Sequence, residues 1–186
     1  MQEMNNILRI LEGSKEAIER GDAVAIKNLS NQTVNTASLT QDPDNITVAV
    51  IVYSLSKILE RENYRQLTGW KNFYSTFIAA IDGSIAGLKR NDDKVVEIHL
   101  EKIRVAIEKL SGKLKVYIKD VFRKARINKA SRIYEHGISM GQTARLLGIT
   151  QFELASYAGQ TGISDVPLSQ TLDAKSRVKL AMEMFS

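Results

Sequence analysis

Residues 138–157 read ISMGQTARLLGITQFELASY and contain the most specific local pattern in the chain. Ala144 is the small residue that allows two helices to cross closely, and Gly148 stands where the backbone must reverse direction. The hydrophobic residues that can pack around this turn are Leu147, Ile149, Leu154 and Tyr157. The pattern predicts two short helices joined by a tight turn, which is the arrangement of a helix-turn-helix.

Both predicted helices begin with a capping box, in which a hydroxyl residue is followed three positions later by Glu or Gln. Ser139 and Gln142 form the first pair, and Thr150 and Glu153 form the second. Each pair can satisfy backbone amides that have no partner within the first turn of a helix. Two such boxes in register with Gly148 strengthen the helix-turn-helix prediction.

The second predicted helix presents Gln151, Phe152 and Ser156 outward. If the pair of helices binds DNA, these residues contact base edges in the major groove, where Gln can recognise adenine and Phe can touch a thymine methyl group. Thr143 and Arg145, on the first helix, are then expected to contact phosphate. A helical hairpin used only for packing or dimerisation is the alternative interpretation.

A strongly basic segment precedes this pair of helices. Eight basic residues and one acid lie between positions 113 and 132. Five cations follow helical spacing and are expected along one side as phosphate contacts: Lys115, Lys119, Arg123, Arg126 and Lys129. The opposite side is expected to pack on the rest of the protein through Leu114, Ile118, Val121 and Ala125. Neutralising phosphates releases condensed counterions, so such a surface can supply affinity for DNA. Residues 149–160 cannot supply it themselves because they contain no Lys or Arg. A solvated helix and an anionic membrane surface are the weaker alternatives.

The charge of the chain is divided unevenly, which supports this interpretation. Residues 111–186 contain 12 Lys and Arg against 6 Asp and Glu, whereas residues 1–110 contain 14 against 15. The asymmetry indicates a polyanion-binding segment attached to a nearly neutral body.

The composition excludes several other classes of function. The absence of cysteine excludes disulfides, a thiolate nucleophile and a cysteine metal cluster, and two histidines argue against a histidine-rich metal site. The chain shows no secretory signal and no apolar run long enough to cross a membrane. We therefore expect a cytoplasmic protein without membrane contact, catalytic residues, metal or cofactor.

Residues 1–110 show hydrophobic residues at helical spacing and no sustained alternation of period two. Asp22 can cap the helix that follows Gly21, Asp42-Pro43 is a typical helix start, and Asn91-Asp92-Asp93 interrupts and restarts the chain. Gly83 and Gly87 lie within a helical pattern and indicate close helix packing, not a phosphate-binding loop. The sequence predicts an all-α fold: an antiparallel helical bundle in residues 1–110 for dimerisation or ligand sensing, then residues 111–186 with the basic helix, the helix-turn-helix and a C-terminal amphipathic tail.

The segment SRIYEHGISMGQTARLLGITQFEL at residues 131–154 resembles a family of small prokaryotic, often archaeal, helix-turn-helix proteins. The family shows the pattern I-S-hydrophobe-G-x-x-A-x-x-L-G-I-S-hydrophobe-x-E, with Thr150 here at the position of its second Ser. Its members are regarded as antitoxin-like regulators. The resemblance implies DNA binding, and it also implies that a C-terminal tail can bind a partner protein; a tail that folds back onto the bundle is the alternative.

Two hypotheses of function follow from these patterns. The first is a non-enzymatic, sequence-specific transcriptional regulator that binds double-stranded DNA as a homodimer. The second is an interaction adaptor or antitoxin that binds a partner protein through the helix-turn-helix and the tail. The apolar face of that predicted tail consists of Leu172, Val178, Ala181, Met182 and Phe185.

Overall fold

A computed structural model describes residues 3–161, and every regular element in this range is helical. The all-α class predicted from the sequence is therefore confirmed for this part of the chain. The predicted amphipathic tail lies outside the described residues. The helices are α1 (Met4–Glu19), α2 (Ala23–Thr40), α3 (Pro43–Leu59), a short 3-10 helix (Glu62–Gln66), α4 (Trp70–Lys89), α5 (Asp93–Lys109), α6 (Gly112–Glu135), α7 (Met140–Leu147) and α8 (Gln151–Thr161).

None of the described helices combines the length and the apolar character that crossing a lipid bilayer requires.

Three helix starts in the first 110 residues are fixed by aspartate caps. The carboxylates of Asp22, Asp42 and Asp92 each accept a hydrogen bond from a backbone amide in the first turn, at 2.9, 3.0 and 3.1 Å. Pro43 occupies the first position of α3, where its missing amide proton costs nothing. These are the starts that the sequence predicts, because capping depends on residues only two or three positions apart.

The segments 12–26 and 82–96 are related by a shift of 70 residues, which indicates an internal repeat. Both contain Gly-Ser early in the segment, and both have Arg and Asp at matching positions around the turn. Ser14 Oγ donates to the carbonyl four residues earlier at 2.7 Å, and Ser84 Oγ does the same at 2.9 Å. The α1–α2 and α4–α5 connections therefore share one local construction, although most of the other residues in the two segments differ.

The matching glycines mark places where the two helices of each repeat approach closely. A Cβ atom on Gly13 would lie 3.2 Å from Leu29 Cδ1, and one on Gly83 would lie 2.1 Å from His99 Cε1. Leu29 and His99 are themselves 70 residues apart. Close helix packing is thus the structural role of Gly83, as the sequence predicts.

The two halves differ in how the third helix of each repeat is placed. In the first half α3 packs closely along α2, whereas in the second half α6 makes little contact with α5 and packs against α3 instead. The side of α5 that faces α3 is consequently left partly uncovered.

Helix α6 joins two hydrophobic clusters. Its first half contributes Leu114, Ile118 and Val121 to the large cluster with α1, α3, α4 and α5. Its second half contributes Ala125, Ala130 and Ile133 to a cluster with the end of α2, the start of α3, and both α7 and α8. Helices α7 and α8 are thus attached to the preceding helices by apolar packing as well as by chain connection.

Candidate nucleic-acid interface

The turn between α7 and α8 depends on Gly148. Its φ is +60° and its ψ is 40°, a left-handed conformation that glycine adopts without steric cost. The amide of Ile149 then donates to Ala144 O at 3.0 Å, which satisfies a carbonyl at the end of α7. Ala144, Leu147 and Leu154 are buried around this turn, so the small and apolar residues occupy the positions that the sequence predicts.

The start of α8 carries the complete capping box predicted from Thr150 and Glu153. Glu153 Oε2 accepts from the Thr150 amide at 2.9 Å, and the Glu153 amide donates to Thr150 Oγ1 at 3.1 Å. Hydrogen bonds from Thr150, first from its backbone and then from its side chain, lower the pKa of Glu153, with smaller contributions from Arg123 and Arg126. The carboxylate is charged at neutral pH and lies where the helix dipole favours a negative group.

Only half of the capping box predicted at the start of α7 is formed. Ser139 Oγ accepts from the Gln142 amide at 3.3 Å, but the side chain of Gln142 does not return to Ser139. Gln142 Nε2 instead donates to Gln41 Oε1, at the end of α2. A partner so distant in sequence outcompetes the local one, which ties the start of α7 to the body of the protein.

The three residues predicted to contact bases share the exposed side of α8. Gln151, Phe152 and Ser156 are all exposed, and Phe152 is 81% accessible despite its large apolar ring. The amide of Gln151 lies beside Gly141 of α7, where a Cβ atom would stand 3.2 Å from Gln151 Nε2. Phe152 and Ser156 line one shallow surface depression together with Arg123 and Lys124 of α6 and the aromatic ring of Tyr157.

Two of the predicted phosphate contacts, Arg123 and Arg126, lie against the start of α8. Arg126 Nη1 donates to Gly148 O at 3.3 Å, so this side chain supports the turn itself. Arg123 Nη1 lies 3.7 Å from Glu153 Oε1, and the side chain remains 51% accessible. Arg123 therefore borders the exposed side of α8, where it lines the same surface depression as Phe152 and Ser156, whereas Arg126 lies at the turn before α8. Each cation already interacts with a group of the protein.

Lys115 and Lys119 lie further along the same side of α6, and Arg145 is exposed on α7. Lys119 Nζ is 3.0 Å from Glu108 Oε2, and Lys115 Nζ donates to the Glu108 backbone carbonyl at 2.8 Å. The hydrogen bond from Lys119, followed by its charge, lowers the pKa of Glu108. Such exposed pairs are weak, so a phosphate can replace the carboxylate at small cost.

Two of the predicted phosphate contacts are buried. Thr143 is fully buried on α7, and its hydroxyl points toward Ile138 O at 3.5 Å. Lys129 is also fully buried, because the second half of α6 is covered by α2 and α3 as well as by α7 and α8. The prediction that these two side chains lie on the exposed surface is wrong.

Lys129 instead occupies an unusual internal position. Its Nζ donates to Asn31 Oδ1 at 2.9 Å and lies 4.2 Å from the centre of the Tyr53 ring. Burial, and then repulsion from Arg132 and Lys27, lowers the pKa of Lys129 to about 7. Nothing in the local sequence distinguishes this lysine from its exposed neighbours, because the enclosing residues come from α2 and α3.

The described residues 3–161 contain no group of three or more His, Asp or Glu side chains placed to hold a metal ion. No protein-family model, no curated protein and no solved structure matches this chain.

Proposed function

We propose that the protein is a sequence-specific DNA-binding regulator of the helix-turn-helix type, without enzymatic activity. In this proposal α7 and α8 form the motif, and the exposed side of α8 enters the major groove. The observation that carries the proposal is the combination of the left-handed Gly148, the capped start of α8 and the exposed Gln151, Phe152 and Ser156. The proposal agrees with the resemblance of residues 131–154 to antitoxin-like regulators.

The corrected set of phosphate contacts in this proposal consists of Lys115, Lys119, Arg123, Arg126 and Arg145. Recognition by α8 alone would be weak because the helix contains no cation, so these side chains supply the electrostatic attraction. The helices before α6 serve as the body, an antiparallel bundle that brings two copies together on paired half-sites in the cytoplasm.

The experiment is a measurement of affinity for a random-sequence duplex across a salt series, by fluorescence anisotropy. We expect the logarithm of affinity to fall linearly with the logarithm of salt concentration, and the slope to become shallower when Arg123→Ala and Lys119→Ala are combined. Arg20→Ala is the matched control, since Arg20 is similarly exposed at the end of α1. An affinity that does not change with salt, or equal slopes for all variants, would refute phosphate contact by α6.

A second candidate function is an adaptor or antitoxin that binds a partner protein through the same helices. The 81% exposure of Phe152 on a helix without cations favours it, because aromatic anchors of this kind are common at protein interfaces. Phe152→Ala separates the two functions: loss of a captured protein with unchanged duplex affinity supports the adaptor, and loss of duplex affinity supports the regulator.

A further inference from the structure

A groove with a volume of about 650 Å³ lies between the start of α4 and the second half of α5. Its apolar lining consists of Phe73 of α4, Ile98, Val105 and Ala106 of α5, and Leu110 after α5. Hydroxyl and amide groups come from Thr68, Asn72, Thr76 and Ser111. This volume, with mainly apolar walls and a few polar groups, is typical of sites for small organic molecules.

The corresponding surface of the first repeat, between α1 and α2, is bridged by polar side chains. Asn6 Nδ2 donates to Thr36 Oγ1 at 3.3 Å, and Arg9 Nη1 donates to Gln32 Oε1 at 2.9 Å. At the shift of 70 residues, the matching positions in the same order are Thr76, Ala106, Ala79 and Lys102. Because an alanine stands in each matching pair, neither hydrogen bond can form in the second repeat, and the groove there is open.

The walls of the groove also differ from the first repeat in polarity. Ile98 and Val105 of α5 stand at the positions of Asn28 and Asn35 of α2. Ile98 is 56% exposed, so the second repeat presents a large apolar side chain where the first presents an amide. The groove is therefore both more open and more apolar than its counterpart in the same protein.

The charged groups of the lining favour a negative ligand. Within residues 3–161, neither Lys102 nor Lys109 forms an ion pair. Lys102 Nζ lies 3.5 Å from His99 Nδ1, and burial, followed by the charge of Lys102, lowers the pKa of His99, so this ring is uncharged at neutral pH. The carboxylate in the lining, Glu101, is paired with Arg104. An anion that enters the groove therefore meets two ammonium groups that no carboxylate of the described residues neutralises.

We propose that this groove binds a small organic anion with an apolar part, such as a carboxylate on a hydrocarbon chain. The hydrocarbon lies against Ile98, Val105 and Phe73. The anionic group lies within reach of Lys102 and Lys109, which share one side of α5 because seven residues make nearly two helical turns. The lining contains no residue of α7 or α8, so the site is independent of the function proposed above.

The binding site is tested with the full chain and without DNA, so that a failure here is distinct from a failure of the proposed function. Octanoate is titrated into ¹⁵N-labelled protein below its micelle concentration. Octylamine is the matched cation, octanol is the neutral analogue, and acetate carries the carboxylate without the chain. We expect saturable shifts with octanoate in the amides of the first half of α4 and the second half of α5, weaker binding of octanol, and the weakest binding of octylamine and acetate.

Two variants remove the charge of the site without touching its walls. Lys102→Gln and Lys109→Gln should each weaken octanoate by about two- to fivefold, the range of an exposed ion pair, and should leave octanol unchanged. Lys27→Gln, which removes an exposed lysine of α2, is the matched control and should have no effect.

Two further variants fill the groove. Val105→Trp and Asn72→Trp should each abolish octanoate binding; Asn72 is an exposed residue of α4, so this change leaves the core intact. Ser75→Trp, also exposed on α4 but outside the lining, is the matched control and should bind normally.

The proposal is overturned if octanoate gives no saturable shift, or if its shifts lie in the basic helix α6 instead of α4 and α5. It is also overturned if octylamine binds as tightly as octanoate, if both lysine changes leave octanoate binding unchanged, or if both Trp fillings do so.

Discussion

The buried Lys129 should make the stability of the protein depend on pH, and replacing this lysine by methionine should remove that dependence. Methionine has a similar length, is apolar and adapts to irregular packing, so it can fill the space between α2, α3 and α6. The substitution removes the amine that donates to Asn31 and lies over Tyr53, and with it the group whose pKa burial lowers to about 7.

The size of the pH effect on stability follows from the difference between the pKa of about 7 for Lys129 in the folded protein and the ordinary lysine pKa of 10.5. Between the two values the unfolded chain binds about one more proton than the folded protein, so the free energy of unfolding rises with pH by up to about 1.4 kcal/mol per unit. From pH 7.5 to pH 9 the gain is about 2 kcal/mol, with the folded protein most stable at the alkaline end. Below pH 7 the amine is protonated in both the folded and the unfolded protein, so Lys129 no longer makes the free energy of unfolding depend on pH.

The assay is urea denaturation followed by circular dichroism at several pH values between 7 and 9. The chain has no cysteine, so few other groups titrate in this window and the comparison is clean. We expect a rising stability profile for the parent and for the control Lys71→Met, an exposed lysine, and a nearly flat profile for Lys129→Met. Parallel profiles for the parent and Lys129→Met would refute the inference that burial shifts this pKa.

Further substitutions test packing and recognition. Gly148→Val should lower the free energy of unfolding by about 1–3 kcal/mol in urea denaturation, because a β-branched residue is strained at φ +60°, and should abolish sequence-specific but not salt-sensitive duplex binding. Glu153→Gln removes the charge beside Arg123 and should raise duplex affinity in anisotropy measurements by about two- to fivefold; an unchanged affinity would mean that this carboxylate does not compete with phosphate. Gly83→Ala should lower the free energy of unfolding of the parent by about 1–3 kcal/mol but should not destabilise the His99→Ala variant. Gly159→Ala is the control: this glycine has open space around it, so the change should stabilise the protein by about 0.5–1 kcal/mol. An equal cost of Gly83→Ala in both backgrounds would contradict the close contact with His99.

The features that the sequence predicts correctly are those decided by neighbours in the chain. The aspartate caps at residues 22, 42 and 92 and the box at Thr150 depend on contacts only two or three residues apart. The left-handed turn at Gly148 and the outward position of Gln151 and Ser156 on α8 are also determined by residues nearby in the chain. Local patterns therefore predict where these helices begin and end, and which side of α8 is exposed.

The features that sequence reasoning missed are decided by distant partners. Periodicity places Lys129 on the same side of α6 as Lys115, but only the packed structure shows that this side is open in the first half of the helix and enclosed in the second. In the same way Gln142 bonds to Gln41 on α2 and not to its neighbour Ser139. The relation between residues 12–26 and 82–96, in contrast, is visible in the sequence once the two segments are compared at a shift of 70.

The proposed contact between α8 and the major groove is tested most directly by site-specific photocrosslinking. Because the chain contains no cysteine, Ser156→Cys introduces a single thiol on the exposed side of α8, to which an aryl azide can be attached. Irradiation with a duplex selected from a random pool should crosslink this position to bases, and the same reagent on Glu62→Cys, in the 3-10 helix, should give no crosslink. Efficient crosslinking from Glu62→Cys with none from Ser156→Cys would contradict the assignment of α8 as the recognition helix.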